Sequence, residues 1–298
     1  MLIFNVLTDF SGAAANALHY AVVLAQYVGA RIQLWHIAAD AGIGAVATAY
    51  FSLPAQPLTP AQALQLLTQQ SRQVNRLVPC QAALISAAAL HDLAAPAGGG
   101  PAHHVLVVGN SRPIKSVSSA ETSTALHLIR TMRHPLLVVP LTYRVGGIPR
   151  RIVLDTDHRA VRVPVTAETI AALLARLTAS PRPLTLTHLP ADVDHLLQQV
   201  IPAILGLHVY TGEKAPELRE TAHQIRQTGL VSDLAHTVAT VRHSSVEEGI
   251  RHAAMRHGAE LLVFIARQRT CAGPRFLRSV TAGLLAHSRI PVLAVPEA

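Results

Sequence analysis

The chain repeats its own landmarks. Residues 135–140 read PLLVVP and residues 291–296 read PVLAVP. Residues 2–9, LIFNVLTD, and residues 151–157, RIVLDTD, are short apolar runs that both close on Thr-Asp. A third pair is HVLVVG at 104–109 and LLVFIA at 261–266. Helical stretches with Ser-containing starts, ETSTALHLIRTMRH and RSVTAGLLAHSRI, precede the two closing runs. Matched beginnings and endings mean two copies of one unit. The length, 298 residues, has room for about two domains of roughly 150 residues each. The copies are set at 1–141 and 150–298. Between them lies a linker, 142–149, whose Gly-Gly and Pro mark a boundary.

The repeated runs are apolar without alternation, and helical patterns separate them. Such runs are strands buried on both faces, joined by crossover helices in a parallel sheet. In the first half, strands are expected near 2–7, 31–37, 80–86, 104–109 and 135–139, with helices near 12–29, 60–77 and 119–133. Ser11 is placed to cap the first helix and Gly29 to end it. The Pro and Gly-Gly-Gly within 87–102 leave room for a short crossover helix at most. In the second half, strands are expected near 151–155, 183–188, 236–241, 260–265 and 291–295. Helices are expected near 165–179, 192–205, 216–228, 245–257 and 279–289. Each half is thus an α/β, doubly wound, Rossmann-like domain with a five-stranded parallel sheet. Ligands of such sheets bind beyond the carboxyl ends of the strands, where strand order reverses. Here that crevice falls between the loops after the first and fourth strands.

Composition narrows the partners. Half of the residues are hydrophobic and only 4% aromatic, which favours aliphatic helix-on-sheet packing over a β-sandwich. The net charge of +8 suits anionic partners in principle. With no dense Lys/Arg run and no aromatic-interleaved basic stretch, a solvated basic surface is expected and nucleic acid is not. The apolar runs of 5–8 residues fall far short of the roughly 20 that a membrane-spanning helix needs. The start lacks a basic n-region and reaches Asp9 too early for a secretory leader. Cys80 and Cys271 fall in different halves, so the expectation is no disulfide and a reducing, cytoplasmic setting. The 17 histidines are scattered. His103 and His104 are adjacent, and His252 and His257, five apart, do not share a helix face, so no metal site is expected. No G-x-S-x-G elbow is present, and no catalytic residues are assigned.

The stretch TDFSGAAANALHYAVVLAQYVGARIQLWHI, residues 8–37, resembles the opening of a universal stress protein of the UspA kind, and FLRSVTAGLLAHSRIPVLAVP, residues 276–296, resembles the closing segment of the second domain in tandem members. The resemblance implies two flavodoxin-like, adenine-nucleotide-hydrolase-like domains. It further implies that their last strands pair within the chain, with a homodimer as an additional assembly. Nucleotide-binding members share Gly-x2-Gly-x9-Gly-Ser/Thr after the fourth strand, where glycines allow close backbone approach and a helix start faces phosphate.

Against that pattern the first half keeps Gly109 and Ser123 but carries Arg112 and Thr122 at the other two glycine positions. Asp9, preceded by Thr8, and Asp157 stand where the nucleotide-binding members place a carboxylate near adenosine. In the second half, Ala266, Arg269 and Arg278 take the glycine positions, in a loop one residue shorter, and Ser279 remains. A non-glycine held in a left-handed conformation costs about 1–2 kcal/mol. Thr8, Asp9, Gly109 and Ser123 are therefore the candidates for adenine-nucleotide binding, with weak ATP binding expected and no resident cofactor. Arg267, Arg269, Arg278 and Ser279 are candidates for holding a small anion. The reading is a non-enzymatic, cytoplasmic stress-response protein. Its alternative is a nucleotide or anion sensor, or a slow ATPase, using the first crevice.

Overall fold

The computed structural model describes residues 1–37, 58–86, 89–90, 103–111, 125, 128–129, 134–157, 164–178, 203–231, 233–267 and 280–297. Ten strands form one sheet. They are β1 (Leu2–Leu7), β2 (Arg31–Ile37), β3 (Cys80–Ile85), β4 (His103–Asn110), β5 (Leu136–Pro140), β6 (Arg151–Asp155), β7 (Ala203–Tyr210), β8 (His236–Arg242), β9 (Leu261–Ala266) and β10 (Val292–Pro296). The helices are α1 (Gly12–Val28), α2 (Pro60–Val74), α3 (Pro164–Thr178), α4 (Leu218–Gln227), α5 (Val246–Arg256) and α6 (Val280–His287). The expected α/β class is what the chain forms.

Local chemistry sets the helix ends. Ser11 accepts a hydrogen bond from the Ala14 amide at 3.2 Å, and α1 stops at Gly29, whose φ of 66° is left-handed. Thr59 and Gln62 form a reciprocal capping box around the start of α2, with Pro60 as its first residue. The strands are apolar on both faces because helices cover both. Ile170 and Leu173 of α3 and Ile225 of α4 pack with Leu67 of α2 and most of the buried residues of α1 into one core layer. Ile250 and Ala253 of α5 and Leu284 of α6 belong to the other.

Strand order is β3-β2-β1-β4-β5-β10-β9-β6-β7-β8. The two halves run outward from the middle in the same internal order, and every pair is parallel except β5 with β10, which is antiparallel. Leu136 pairs with Ala294, Leu137 with Leu293 and Val138 with Val292. Leu137 and Leu293 are the second residues of their strands, so the register is centred on an equivalent pair. Side chains also cross between the halves. Arg176 of α3 donates to the Val28 carbonyl at the end of α1 at 2.9 Å, and Asn110 donates to the Leu285 carbonyl of α6 at 2.9 Å.

One expectation fails in the second half. The second strand, expected at 183–188, is β7 at Ala203–Tyr210, and it takes the end of the helix expected at 192–205. Residues 183–188 themselves lie outside the described residues, as does most of the helix expected at 119–133.

Candidate functional site

The strand order reverses between β1 and β4, and again between β6 and β9. The loops leaving those strands frame the two crevices. In the first, the residues Thr8 to Ser11 turn from β1 into α1. Thr8 Oγ1 accepts from the Phe10 amide at 3.0 Å, and Asp9 Oδ1 accepts from the Ser11 amide at 2.9 Å. Phe10 is left-handed with φ of 62°, a strained state for a bulky residue. Its ring stacks on His36 at a centroid distance of 4.9 Å. His36 Nδ1 donates to the Thr8 carbonyl at 2.7 Å, while the Thr8 amide donates to the Trp35 carbonyl at 2.8 Å. Thr8 and Asp9 therefore hold this turn from within.

Gly109, near the end of β4, faces α1. A Cβ there would run into the carbonyl of Ala13 and the amide of Ala14, so the glycine lets the first turn of α1 lie against the sheet. Ser123, Arg112 and Thr122 lie outside the described residues.

The second crevice repeats the frame with different chemistry. The Thr156 amide donates to the Leu207 carbonyl at 2.9 Å, and His208 Nδ1 donates to the Thr156 carbonyl at 2.7 Å. These match Thr8 with Trp35 and His36 bond for bond. Asp157, the counterpart of Asp9, is gripped by Arg267. Nε and one terminal nitrogen of Arg267 donate to the two carboxylate oxygens, each at 2.6 Å, and the other terminal nitrogen reaches Glu297 at 2.9 Å. Both fork donors and the third are turned to carboxylates of the chain itself. Arg269, Arg278 and Ser279 lie outside the described residues. Among the described residues no cluster of three or more metal-ligating side chains occurs.

Sheet register corrects the alignment of the two phosphate-loop positions. Val107 pairs with Val6 and Leu137, and Val263 pairs with Leu154 and Leu293. Val107 is therefore equivalent to Val263, and Gly109 to Ile265 rather than Ala266. Counted from Ile265, Ser279 follows at the same separation as Ser123 from Gly109, so the second loop is not shorter. The expected equivalence failed by one residue because unbroken apolar runs carry no internal register mark. Two further features went unread. One is the Thr–His pair, which LWHI at 34–37 and GLHV at 206–209 signal in the sequence. The other is Asp155, whose Oδ1 is buried without a hydrogen-bond partner. Burial first, and then the charge of Asp157, pushes this carboxyl up to about 8.

The family model of the Universal stress protein family matches residues 190–296. No curated protein matches the sequence. A universal stress protein from Archaeoglobus fulgidus is similar in structure, with a TM-score of 0.65 at 10% identity over 99% of this chain and 98% of its own. A Pseudomonas aeruginosa protein described as a universal stress protein gives 0.51 at 14% identity, over 99% and 93%. At such identities these likenesses speak to fold. Residues 190–296 match the Universal stress protein family by sequence, and the chain over its whole length shares the fold of solved universal stress proteins.

Proposed function

We propose that the chain is a non-enzymatic, cytoplasmic stress-response protein built of two universal stress protein domains, 1–141 and 150–298, joined at 142–149. The antiparallel β5–β10 joint, centred on Leu137 and Leu293, supports their pairing within one chain. Neither crevice holds ATP tightly in this reading. The observation that carries it is the fork of Arg267 on Asp157, which occupies the carboxylate and the cation of the second crevice with each other. An anion at Arg267 would have to displace Asp157 or Glu297. In the first crevice, Gly109 serves the packing of α1, and the Thr8-Asp9 turn is bonded to itself.

Calorimetric titration with ATP, with and without magnesium, tests this. The expected outcome is no binding tighter than roughly 100 μM. A low-micromolar isotherm that is lost in Asp9→Ala would overturn it. Gly109→Trp would not be a fair control, since any side chain there disturbs α1. The second reading, a nucleotide or anion sensor or a slow ATPase in the first half, is favoured by one feature. Among the described residues, Asp9 has no cation on its carboxylate, in contrast to Asp157.

A further inference from the structure

A separate groove of about 850 Å³ lies between α5 and α6, bounded by the end of β8, the turn from α5 into β9 and the turn from α6 into β10. Its volume is that of a small-molecule site, for which roughly 300–1,000 Å³ is usual. The floor is apolar, with Leu262 of β9, Leu284 of α6 and Ile290 before β10. The rim is basic. Arg242, Arg251, Arg256 and Arg289 line it, with Glu248 the one carboxylate among the lining residues. None of these four arginines makes an ion pair among the described residues. Met255 follows Arg251 by one helical turn on the same face of α5 and is 70% exposed at the groove.

We propose that this groove binds a small amphipathic anion, an apolar chain or ring ending in a carboxylate. Four guanidinium groups against one carboxylate leave the lining with an excess of positive charge, and an anionic head lowers that excess. Their planar forks match a carboxylate in two-point geometry. An inorganic anion would leave the leucine and isoleucine floor wet. A neutral apolar molecule would cover the floor and leave the arginines without a counter-charge. Only a ligand with both parts satisfies both surfaces.

Calorimetric titration of the full chain with dodecanoate, below its micellar concentration, is the test. Single-site binding is expected, weakened at least about tenfold by the double substitution Arg251→Gln and Arg289→Gln. Dodecanol and inorganic phosphate are each expected to bind at least about tenfold more weakly than dodecanoate. Met255→Glu changes only an exposed side chain, so it should weaken dodecanoate while leaving the circular dichroism spectrum unaltered. Absence of heat with dodecanoate, an affinity unchanged in both variants, or phosphate binding as tightly as dodecanoate would each overturn the proposal.

Discussion

Asp155 ends β6 at the position where Leu7 ends β1, and the alternation of the strand turns it to the same side as Val153. A carboxyl buried there holds its proton more tightly in the fold than in the unfolded chain, where its value is near 4. The stability it allows is complete below about pH 4 and is lost as pH rises toward its folded value of about 8. Asp155→Leu copies the first half and removes the titration. Its melting temperature should exceed that of the parent by a margin that widens from about pH 5 to about pH 8. A margin constant with pH would mean that the carboxyl is not held neutral in the fold. Gly109 gives a second residue-scale prediction. Gly109→Ala meets backbone that cannot rotate away, so urea unfolding should show a loss of about 1–3 kcal/mol without any nucleotide present. An unchanged midpoint would return Gly109 to a ligand-binding role. Gly109 is legible as a glycine that something approaches closely, but not as to what approaches it. Its partner is the backbone of α1, nearly a hundred residues upstream, and no local pattern records that contact. The same holds for Arg267, whose carboxylates lie in two other segments.

Elements were more legible than residues, because periodicity and capping are local. The ends of α1 follow from Ser11 and Gly29, and α2 begins at the Thr59–Pro60 signal. The miss is β7. Its run AILGLHVY contains Gly206, which weakens a strand pattern, and it follows a stretch with helical spacing that ends at Pro202. The glycine has a packing reason. A Cβ at Gly206 would run into the side chain of Ile225, so α4 sits close over β7 there. Gly206→Val should therefore push α4 outward and cost about 1–3 kcal/mol in urea unfolding. A variant as stable as the parent would show that Ile225 yields freely and that the close contact is incidental. The strand could have been found from His208 instead. A histidine between apolar residues near the end of the second strand recurs in both halves, and its Nδ1 donates to the carbonyl of the Thr that follows the first strand.

At the scale of the whole molecule, the repeat in the sequence becomes the ten-stranded sheet through one short joint. The runs PLLVVP and PVLAVP would each leave an uncharged strand edge if the halves stood apart, and such edges invite aggregation. Pairing β5 with β10 buries both within one chain, and Leu136, Leu137, Val138, Val292, Leu293 and Val295 are all nearly inaccessible to solvent. The joint does not act alone. The bonds from Arg176 to Val28 and from Asn110 to Leu285 tie helices of one half to the other, and both core layers contain residues of both halves. The halves should therefore unfold together. A charge placed at the joint has no partner and no water, a situation that costs several kcal/mol. Val138→Asp and Val295→Asp are each expected to lower the melting temperature of the entire chain while preserving one cooperative transition in calorimetry. Two transitions, with one at the parent temperature, would show that the halves are independent folding units that merely touch. An unchanged melting temperature in both variants would remove the joint from the account of stability altogether.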